Sequence, residues 1–128
     1  MHHTILGGRV TLADGTPLPL SKAIRAGDFV YLSGQLGFDE TGRLPAGVEA
    51  QTRHCLRHIG ALLASAGAGV EHVVKATVWL TEVGDFAAFN RVYAEAFGDA
   101  PPCRSTVVSG LVLADAKVEI EVVAYAPV

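Results

Sequence analysis

The spacing of apolar residues changes near Val48, and that change limits the folds open to this chain. Before Val48, short runs of strand-forming residues are separated by turn signals at residues 13–16 and 39–42. From Val48 to Ala66, apolar residues recur every three or four positions, and Gly67 follows as a helix stop. The sequence therefore predicts a strand-rich first third and then one long amphipathic helix.

The remaining elements follow from two patterns: alternation of apolar and polar residues for strands, and apolar residues every three or four positions for helices. The first third predicts a hairpin and a third strand, over residues 4–10, 18–24 and 29–35. Beyond the first helix, alternation returns in segments that predict three more strands, over residues 72–81, 103–109 and 117–125. A second helix separates the first two of these, with Asp85 as candidate N-cap and Gly98 as its end. Its inward face is expected to be aromatic, with Phe86, Phe89, Tyr93 and Phe97.

The predicted order, β-β-β-α-β-α-β-β, is typical of an α+β fold with a mixed β-sheet backed by two helices on one face. Adjacent apolar pairs nevertheless make two strands apolar on both sides: Val107 with Val108, and Val122 with Val123. We therefore expect a homo-oligomer that covers the second sheet face. A length of 128 residues, 50% of them hydrophobic, suits a single domain over residues 1–128.

Composition narrows the classes of function. The formal net charge is −3 and no run of lysines or arginines occurs, which argues against nucleic acid and anionic membranes as partners. No segment is apolar over the length of a membrane span, and the N-terminus lacks the pattern of a leader. We therefore expect a cytoplasmic protein. Cys55 and Cys103 are expected to be buried thiols rather than a disulfide or a nucleophile.

Charged groups on two otherwise apolar strands are the strongest functional signal. Arg104 and Thr106 share one side of their strand, while Glu119 and Glu121 share one side of the next. An antiparallel hairpin of these strands would bring the two sides together. One interpretation, which the spacing alone favours, is a cross-strand salt bridge. The other is an arginine that binds a substrate carboxylate while a glutamate holds a water or moves a proton.

Three weaker signals accompany these charges. Gly34 ends the third strand and either forms an ordinary turn or lets a ligand approach the backbone closely. His54 and His58 lie one helical turn apart, but the glutamate of a zincin motif is missing between them. We therefore predict partly exposed histidines and no metal site. Asn90 is either solvent-facing or buried with a fixed polar partner.

Six short motifs occur in order between Leu18 and the C-terminus: Ala26-Gly27-Asp28, Ser33-Gly34-Gln35, Ala50-Gln51-Thr52, Asp85-Phe86-Ala87-Ala88-Phe89-Asn90, Pro102-Cys103-Arg104-Ser105 and Val118-Glu119-Ile120-Glu121. Together they resemble the RidA family of reactive intermediate deaminases, also called the YjgF/YER057c/UK114 family. The resemblance implies a chorismate-mutase-like fold of the bacillus type. It also implies a homotrimer with a central β-barrel-like core and ligand clefts between subunits.

The same resemblance implies a reaction. Family members hydrolyse 2-aminoacrylate and related enamine or imine intermediates to 2-keto acids and ammonia, with neither a cofactor nor a metal. By analogy, Arg104 binds the carboxylate of the substrate and Glu119 positions the attacking water. Further cleft positions implied by the resemblance are Gly34, Phe86, Asn90 and Thr106.

Leu20 departs from the family pattern, because a tyrosine of the cleft is expected at this position. The change removes a hydroxyl and makes one wall of the cleft apolar. The leading prediction is a deaminase of the 2-iminobutanoate/2-iminopropanoate type. One alternative is a non-catalytic protein, either a binder of small carboxylates or a regulator, that uses the same cleft between subunits. A second alternative is endoribonuclease activity, against which the acidic balance argues.

Overall fold

The computed structural model describes residues 3–128, which form one seven-stranded sheet and two α-helices. The strands are β1 (His3–Thr11), β2 (Pro17–Ala26), β3 (Phe29–Leu32), β4 (Gln35–Leu36), β5 (Val73–Leu80), β6 (Cys103–Val108) and β7 (Val118–Tyr125). The helices are α1 (Val48–Ser65) and α2 (Phe86–Phe97). The predicted elements are confirmed, except that the third strand is split into β3 and β4. Met1 and His2, part of the predicted domain, lie outside the described residues.

The sheet is mixed, as predicted. Its strands follow the order β1-β2-β3-β7-β5-β6, and β4 pairs with β7 beyond the end of β3. β5 and β6 run parallel, whereas the other paired strands are antiparallel. α2 connects the parallel pair, because it lies between β5 and β6 in the chain. Neither helix in the described part of the chain has the length and hydropathy needed to cross a membrane.

Both helices pack on one face of the sheet, here called the covered face. Strand β7 shows the alternation most clearly, since it buries Val118, Ile120, Val122 and Ala124. Against this face α1 buries Cys55, Ile59 and Leu63, and α2 buries Phe89, Val92, Tyr93 and Phe97. The spacing of three and four residues gathers these side chains into one stripe on each helix. The predicted sheet with two helices on one face is confirmed.

The opposite face, here called the open face, has no helix over it. Phe29, Tyr31 and Tyr125 form an aromatic cluster there and are 40%, 47% and 45% exposed. The ring centroid of Phe29 lies 5.2 Å from that of Tyr125 and 6.3 Å from that of Tyr31. A single chain therefore leaves a contiguous aromatic surface in contact with solvent.

Gln51 joins the first turn of α1 to the segment that leads into β7. Its side-chain nitrogen donates to the carbonyl oxygens of Pro45 and Asp115, at 2.8 and 2.9 Å. Its side-chain oxygen accepts a hydrogen bond of 2.8 Å from the backbone N–H of Lys117. Gln51 is 1% exposed, so these bonds satisfy an amide that is cut off from water. Because Lys117 directly precedes β7, Gln51 fixes where that strand begins.

The structure corrects two expectations about single residues, Phe86 and Cys103, and confirms Asp85 at the N-cap position of α2 but without a capping bond. Phe86 is 45% exposed, because it begins α2 beside the edge strand β6, beyond which the sheet offers no further cover. Asp85 precedes α2 but makes no side-chain capping bond, because it ends a 3₁₀ turn in helical rather than extended conformation. Cys103 is exposed on the open face, opposite in direction to Arg104, whereas Cys55 is buried as expected.

We predict that Gln51→Leu lowers the free energy of unfolding by about 2–4 kcal/mol, because two carbonyl groups and one N–H group lose their buried partner. Urea denaturation at fixed protein concentration measures this change. Arg53→Leu, in the exposed Arg53–Glu95 ion pair of 3.6 Å, is the control and is expected to cost less than about 1 kcal/mol. Equal denaturation midpoints for the two variants would contradict the role given to Gln51.

Candidate active site

Arg104 lies on the edge strand β6, where its guanidinium rests on aromatic side chains of α2. Its Cζ atom is 4.8 Å from the ring centroid of Tyr93, 5.4 Å from that of Phe89 and 5.8 Å from that of Phe86. These cation–π contacts hold the guanidinium against the helix without occupying its N–H donors. No carboxylate among residues 3–128 lies within ion-pairing distance of Arg104. Its planar fork is therefore available to a ligand carboxylate.

Two polar side chains accompany Arg104. Asn90 is half-buried and lies on the same face of α2 as Phe86 and Tyr93, four residues after one and three before the other. Thr106 pairs with Val78 of β5 and points to the covered face, as Arg104 does. We call Phe86, Asn90, Arg104 and Thr106 the arginine group.

The Tyr93 hydroxyl lies beneath this group and is buried. Burial raises the pKa of Tyr93, and the neighbouring Arg104 guanidinium opposes that rise. The hydroxyl oxygen nevertheless has no hydrogen-bond partner of acceptable geometry among residues 3–128. The guanidinium is thus close enough to lower the pKa of the hydroxyl through its charge and through a hydrogen-bond interaction whose geometry is poor.

Glu119 lies on the open face of β7, paired with Trp79 of β5. Burial raises the pKa of its carboxyl group, and the neighbouring Glu121 carboxylate raises it further. A raised pKa makes the protonated form of a carboxyl group easier to reach, which is a common property of groups that transfer protons. Glu119 therefore has the electrostatic setting of an acid–base group.

Gly34 lies in the gap between β3 and β4, directly against the Glu119 side chain. A Cβ atom at residue 34 would lie 2.8 Å from Cδ of Glu119 and closer still to one carboxylate oxygen. A glycine is therefore needed here to leave the carboxylate in its place. Leu20 is three residues before the buried Ala23 on β2, so alternation puts it on the open face too. We call Leu20, Gly34 and Glu119 the glutamate group.

A shallow cleft of about 220 Å³ adjoins the Glu119 carboxylate. Its other walls are the Trp79 side chain and the segment after β6, formed by Ser109, Gly110, Leu111 and Val112. Glu119 is the one charged residue in this lining, so the cleft sets an acid–base group against an apolar wall. A larger cavity of about 480 Å³ borders Gln51 and touches neither the arginine group nor the glutamate group.

The arginine group and the glutamate group lie on opposite faces of the sheet. The predicted hairpin of β6 with β7 is wrong, because β5 lies between these strands and pairs with both. Along β5, Arg104 is level with the buried Ala76, whereas Glu119 is level with Trp79 on the other face. Paired residues of neighbouring strands point to the same side, so Arg104 and Glu119 of one chain point apart. The cross-strand salt bridge is therefore absent.

The histidines of α1 have local partners. A ring nitrogen of His58 hydrogen-bonds with the carbonyl oxygen of Phe38 at 2.7 Å, and His54 Nδ1 lies 3.2 Å from a guanidinium nitrogen of Arg57. Both histidines are half-exposed, as predicted. Within residues 3–128, no cluster of three or more histidine, cysteine or acidic side chains is placed to hold a metal ion.

Sequence reasoning made no functional prediction for two side chains that contact the candidate site residues, Tyr93 beside Arg104 and Trp79 beside Glu119. Tyr93 was expected in the apolar face of α2, where its three aromatic neighbours are phenylalanines. Its hydroxyl was the available signal, since a buried tyrosine normally needs a partner for that group. Trp79 gave no such signal, because its place beside Glu119 depends on the pairing of β5 with β7.

Comparisons with known proteins agree with this architecture. A family model described as endoribonuclease L-PSP matches residues 15–126. Reactive Intermediate Deaminase A of Arabidopsis thaliana, a chloroplastic protein, is 41% identical over 108 residues, which cover 83% of this chain and 58% of the relative. The 3-aminoacrylate deaminase RutC of Acinetobacter baylyi is 39% identical over 121 residues, which cover 91% of this chain and 96% of the relative.

A solved structure shows the same fold. The crystal structure of RidA from an Antarctic Psychrobacter species superposes with a TM-score of 0.84 at 35% sequence identity. The match covers 95% of this chain and 98% of the other. The predicted fold class is therefore confirmed by an experimental structure as well as by the arrangement of strands and helices.

We predict that Glu121→Gln lowers the pKa of Glu119, because it removes the neighbouring negative charge. The pKa should stay above that of an ordinary glutamate, because burial is the larger cause of the shift and is unchanged. Carboxyl-carbon NMR titration of the two proteins measures the difference. Glu95→Gln, an exposed substitution on α2, is the control and should leave Glu119 unaffected. An unchanged Glu119 titration in Glu121→Gln would contradict the electrostatic account.

Proposed function

Because this chain belongs to the RidA family, we propose that it hydrolyses reactive imines of small carboxylates to 2-keto acids and ammonia. Relatives named as deaminases, at 39% and 41% identity, support the reaction class. The main structural support is the Arg104 guanidinium, which is held on aromatic rings with its donors free for a carboxylate. We expect the reaction to take place in the cytoplasm.

The residues suit hydrolysis of an imine. The carbon of the imine accepts the oxygen of water, its nitrogen gains protons, and the resulting carbinolamine releases ammonia to leave a keto group. Such a reaction needs orientation and proton transfer more than a strong nucleophile. Arg104 would hold the carboxylate, and Glu119 would orient the water, take its proton and pass a proton to the leaving nitrogen. The raised pKa of Glu119 suits it to both directions of transfer.

Two copies of the chain are needed to bring these residues together. Arg104 and Glu119 point to opposite faces of one sheet, so one ligand cannot contact both within a chain. A second copy docked on the open face would place its arginine group against the glutamate group of the first. The exposed aromatic cluster of Phe29, Tyr31 and Tyr125 gives that face a reason to associate. We propose a homotrimer with ligand clefts between subunits, in line with the family resemblance.

Leu20 favours a second candidate function. A leucine provides no hydroxyl to help orient a substrate beside Gly34 and Glu119, so the cleft could bind a carboxylate without turning it over. A non-catalytic protein that binds small carboxylates or acts as a regulator is therefore the alternative to a deaminase. The description of the matched family also names a ribonuclease. The net charge of −3 disfavours binding to an RNA backbone.

Arg104→Ala is expected to lower kcat/KM for imine hydrolysis by about tenfold to a hundredfold, because a charge-assisted carboxylate contact is lost. Ammonia release is measured from 2-aminoacrylate and longer imino acids made in situ by an amino acid oxidase or a dehydratase, and from 3-aminoacrylate. Arg53→Ala, an exposed arginine of α1, is the control. If the wild-type chain accelerates none of these reactions but still binds pyruvate, the binding-protein alternative replaces the deaminase.

A mixture of two inactive variants is expected to regain activity if the site is shared between subunits. In a trimer of Arg104→Ala and Glu119→Gln chains, some clefts receive an intact arginine from one chain and an intact glutamate from its neighbour. Random mixing of equal amounts restores about a quarter of the sites. Ammonia release after unfolding and refolding the mixture measures this recovery, with each variant refolded alone as control. No recovery in mixed trimers would contradict a site shared between subunits.

A further inference from the structure

Tyr93 is the one aromatic residue of the inward face of α2 that carries a polar group. The other aromatic positions of that helix, Phe86, Phe89 and Phe97, are all phenylalanine. Tyr93 is 5% exposed, and its hydroxyl has no hydrogen-bond partner of acceptable geometry among residues 3–128. A buried hydroxyl without a partner destabilises the folded chain, and phenylalanine would fill the same space without that cost. The hydroxyl therefore calls for an explanation beyond packing.

Arg104 is the group best placed to use that hydroxyl. Of the three rings beneath the guanidinium, Tyr93 is the nearest, with 4.8 Å between Cζ and the ring centroid. The hydroxyl is a free acceptor, and the guanidinium carries five N–H donors that no carboxylate within residues 3–128 engages. The two groups are therefore neighbours, and Arg104 acts on the pKa of the Tyr93 hydroxyl.

We propose that Tyr93 is a positioning residue for Arg104: its hydroxyl accepts a hydrogen bond from the guanidinium when the forked edge of that group takes a ligand carboxylate. The inference rests on the proposed role of Arg104 as the carboxylate-binding residue. The ligand draws the guanidinium to one orientation, and Tyr93 stabilises it there from the protein side. The hydroxyl, which has no well-formed hydrogen bond in the free chain, thus gains one in the complex.

This role differs from a packing role in its effect on ligand affinity. If Tyr93 only fills the core, removing the hydroxyl changes neither ligand affinity nor KM. If it serves Arg104, Tyr93→Phe leaves the melting temperature of the free protein unchanged or raises it, since an unsatisfied buried group is removed. The same variant then weakens carboxylate binding, because the arginine loses its partner in the complex.

The test measures pyruvate binding by calorimetry, melting temperature and imine hydrolysis for wild type, Tyr93→Phe and the control Tyr31→Phe. Tyr31 lies on the opposite face of the sheet from Arg104 of the same chain, so its variant loses a tyrosine hydroxyl without touching the Arg104–Tyr93 contact within the chain. Size-exclusion chromatography checks that the variant assembles like wild type. For Tyr93→Phe we expect Kd and KM to rise about three- to tenfold, with kcat little changed and no loss of melting temperature. Equal Kd and KM in wild type and Tyr93→Phe, or a lower melting temperature with unchanged affinity, would overturn the inference.

A double-substitution cycle shows whether Tyr93 acts through Arg104. In an Arg104→Lys background, the compact ammonium group cannot keep the fork geometry that Tyr93 supports. Tyr93→Phe is therefore expected to have little further effect on Kd in that background. An undiminished effect would show that Tyr93 acts on the ligand by another route and would overturn the inference.

Tyrosine ring-carbon NMR titration keeps the inference separate from the proposed function. If the wild-type chain neither binds pyruvate nor hydrolyses imines, the proposed function is wrong, and the pairing of Tyr93 with Arg104 is judged by titration alone. Arg104→Leu should then raise the pKa of Tyr93 still further, because it removes the positive charge that opposes the effect of burial. An unchanged Tyr93 titration in that variant would overturn the pairing.

Discussion

The position of β5 between β6 and β7 determines which face of the sheet Arg104 and Glu119 each occupy. A strand that pairs with both neighbours fixes the direction of their side chains, since level residues point to one side. Ala76 and Trp79 of β5 thereby assign Arg104 to the covered face and Glu119 to the open face. The two helices make the faces unlike, because both pack on the covered face and neither packs on the open face.

Each half of the site has its own source of electrostatic tuning. Arg104 rests on ring faces, which attract the cation while its donors remain free for an anion. The surroundings of Arg104 thus favour its charged form, whereas those of Glu119 disfavour the charge, because partial burial and the nearby Glu121 both favour its protonated form. The permanently charged Arg104 and the titratable Glu119 thus lie in separate environments, so the proposed anchoring of the carboxylate and the proposed proton transfer would be adjusted independently.

The spacing of apolar residues predicted the helices and strands well, because it depends on residues that are close together in the sequence. The helix starting at Val48 and the strand over residues 72–81 follow from apolar spacing alone, and the structure places them within a residue of the expected bounds. The relation of Arg104 to Glu119 could not be predicted in this way. Sequence neighbours among strands usually pair, but the pairing of β5 with β7 depends on contacts between residues far apart in the chain. The contact of Gly34 with Glu119 is hidden for the same reason.

Because the sheet lies between the arginine group and the glutamate group, each group can be substituted without changing the surroundings of the other. A substitution at Arg104 leaves the packing around Glu119 intact, and a change at Gly34 that shifts the Glu119 carboxylate leaves α2 and its rings untouched. One surface can therefore drift while the other is retained and the chain still folds. A substitution that abolishes the proposed carboxylate binding, or one that abolishes the proposed proton transfer, can therefore leave the other group and the hydrophobic core as they are.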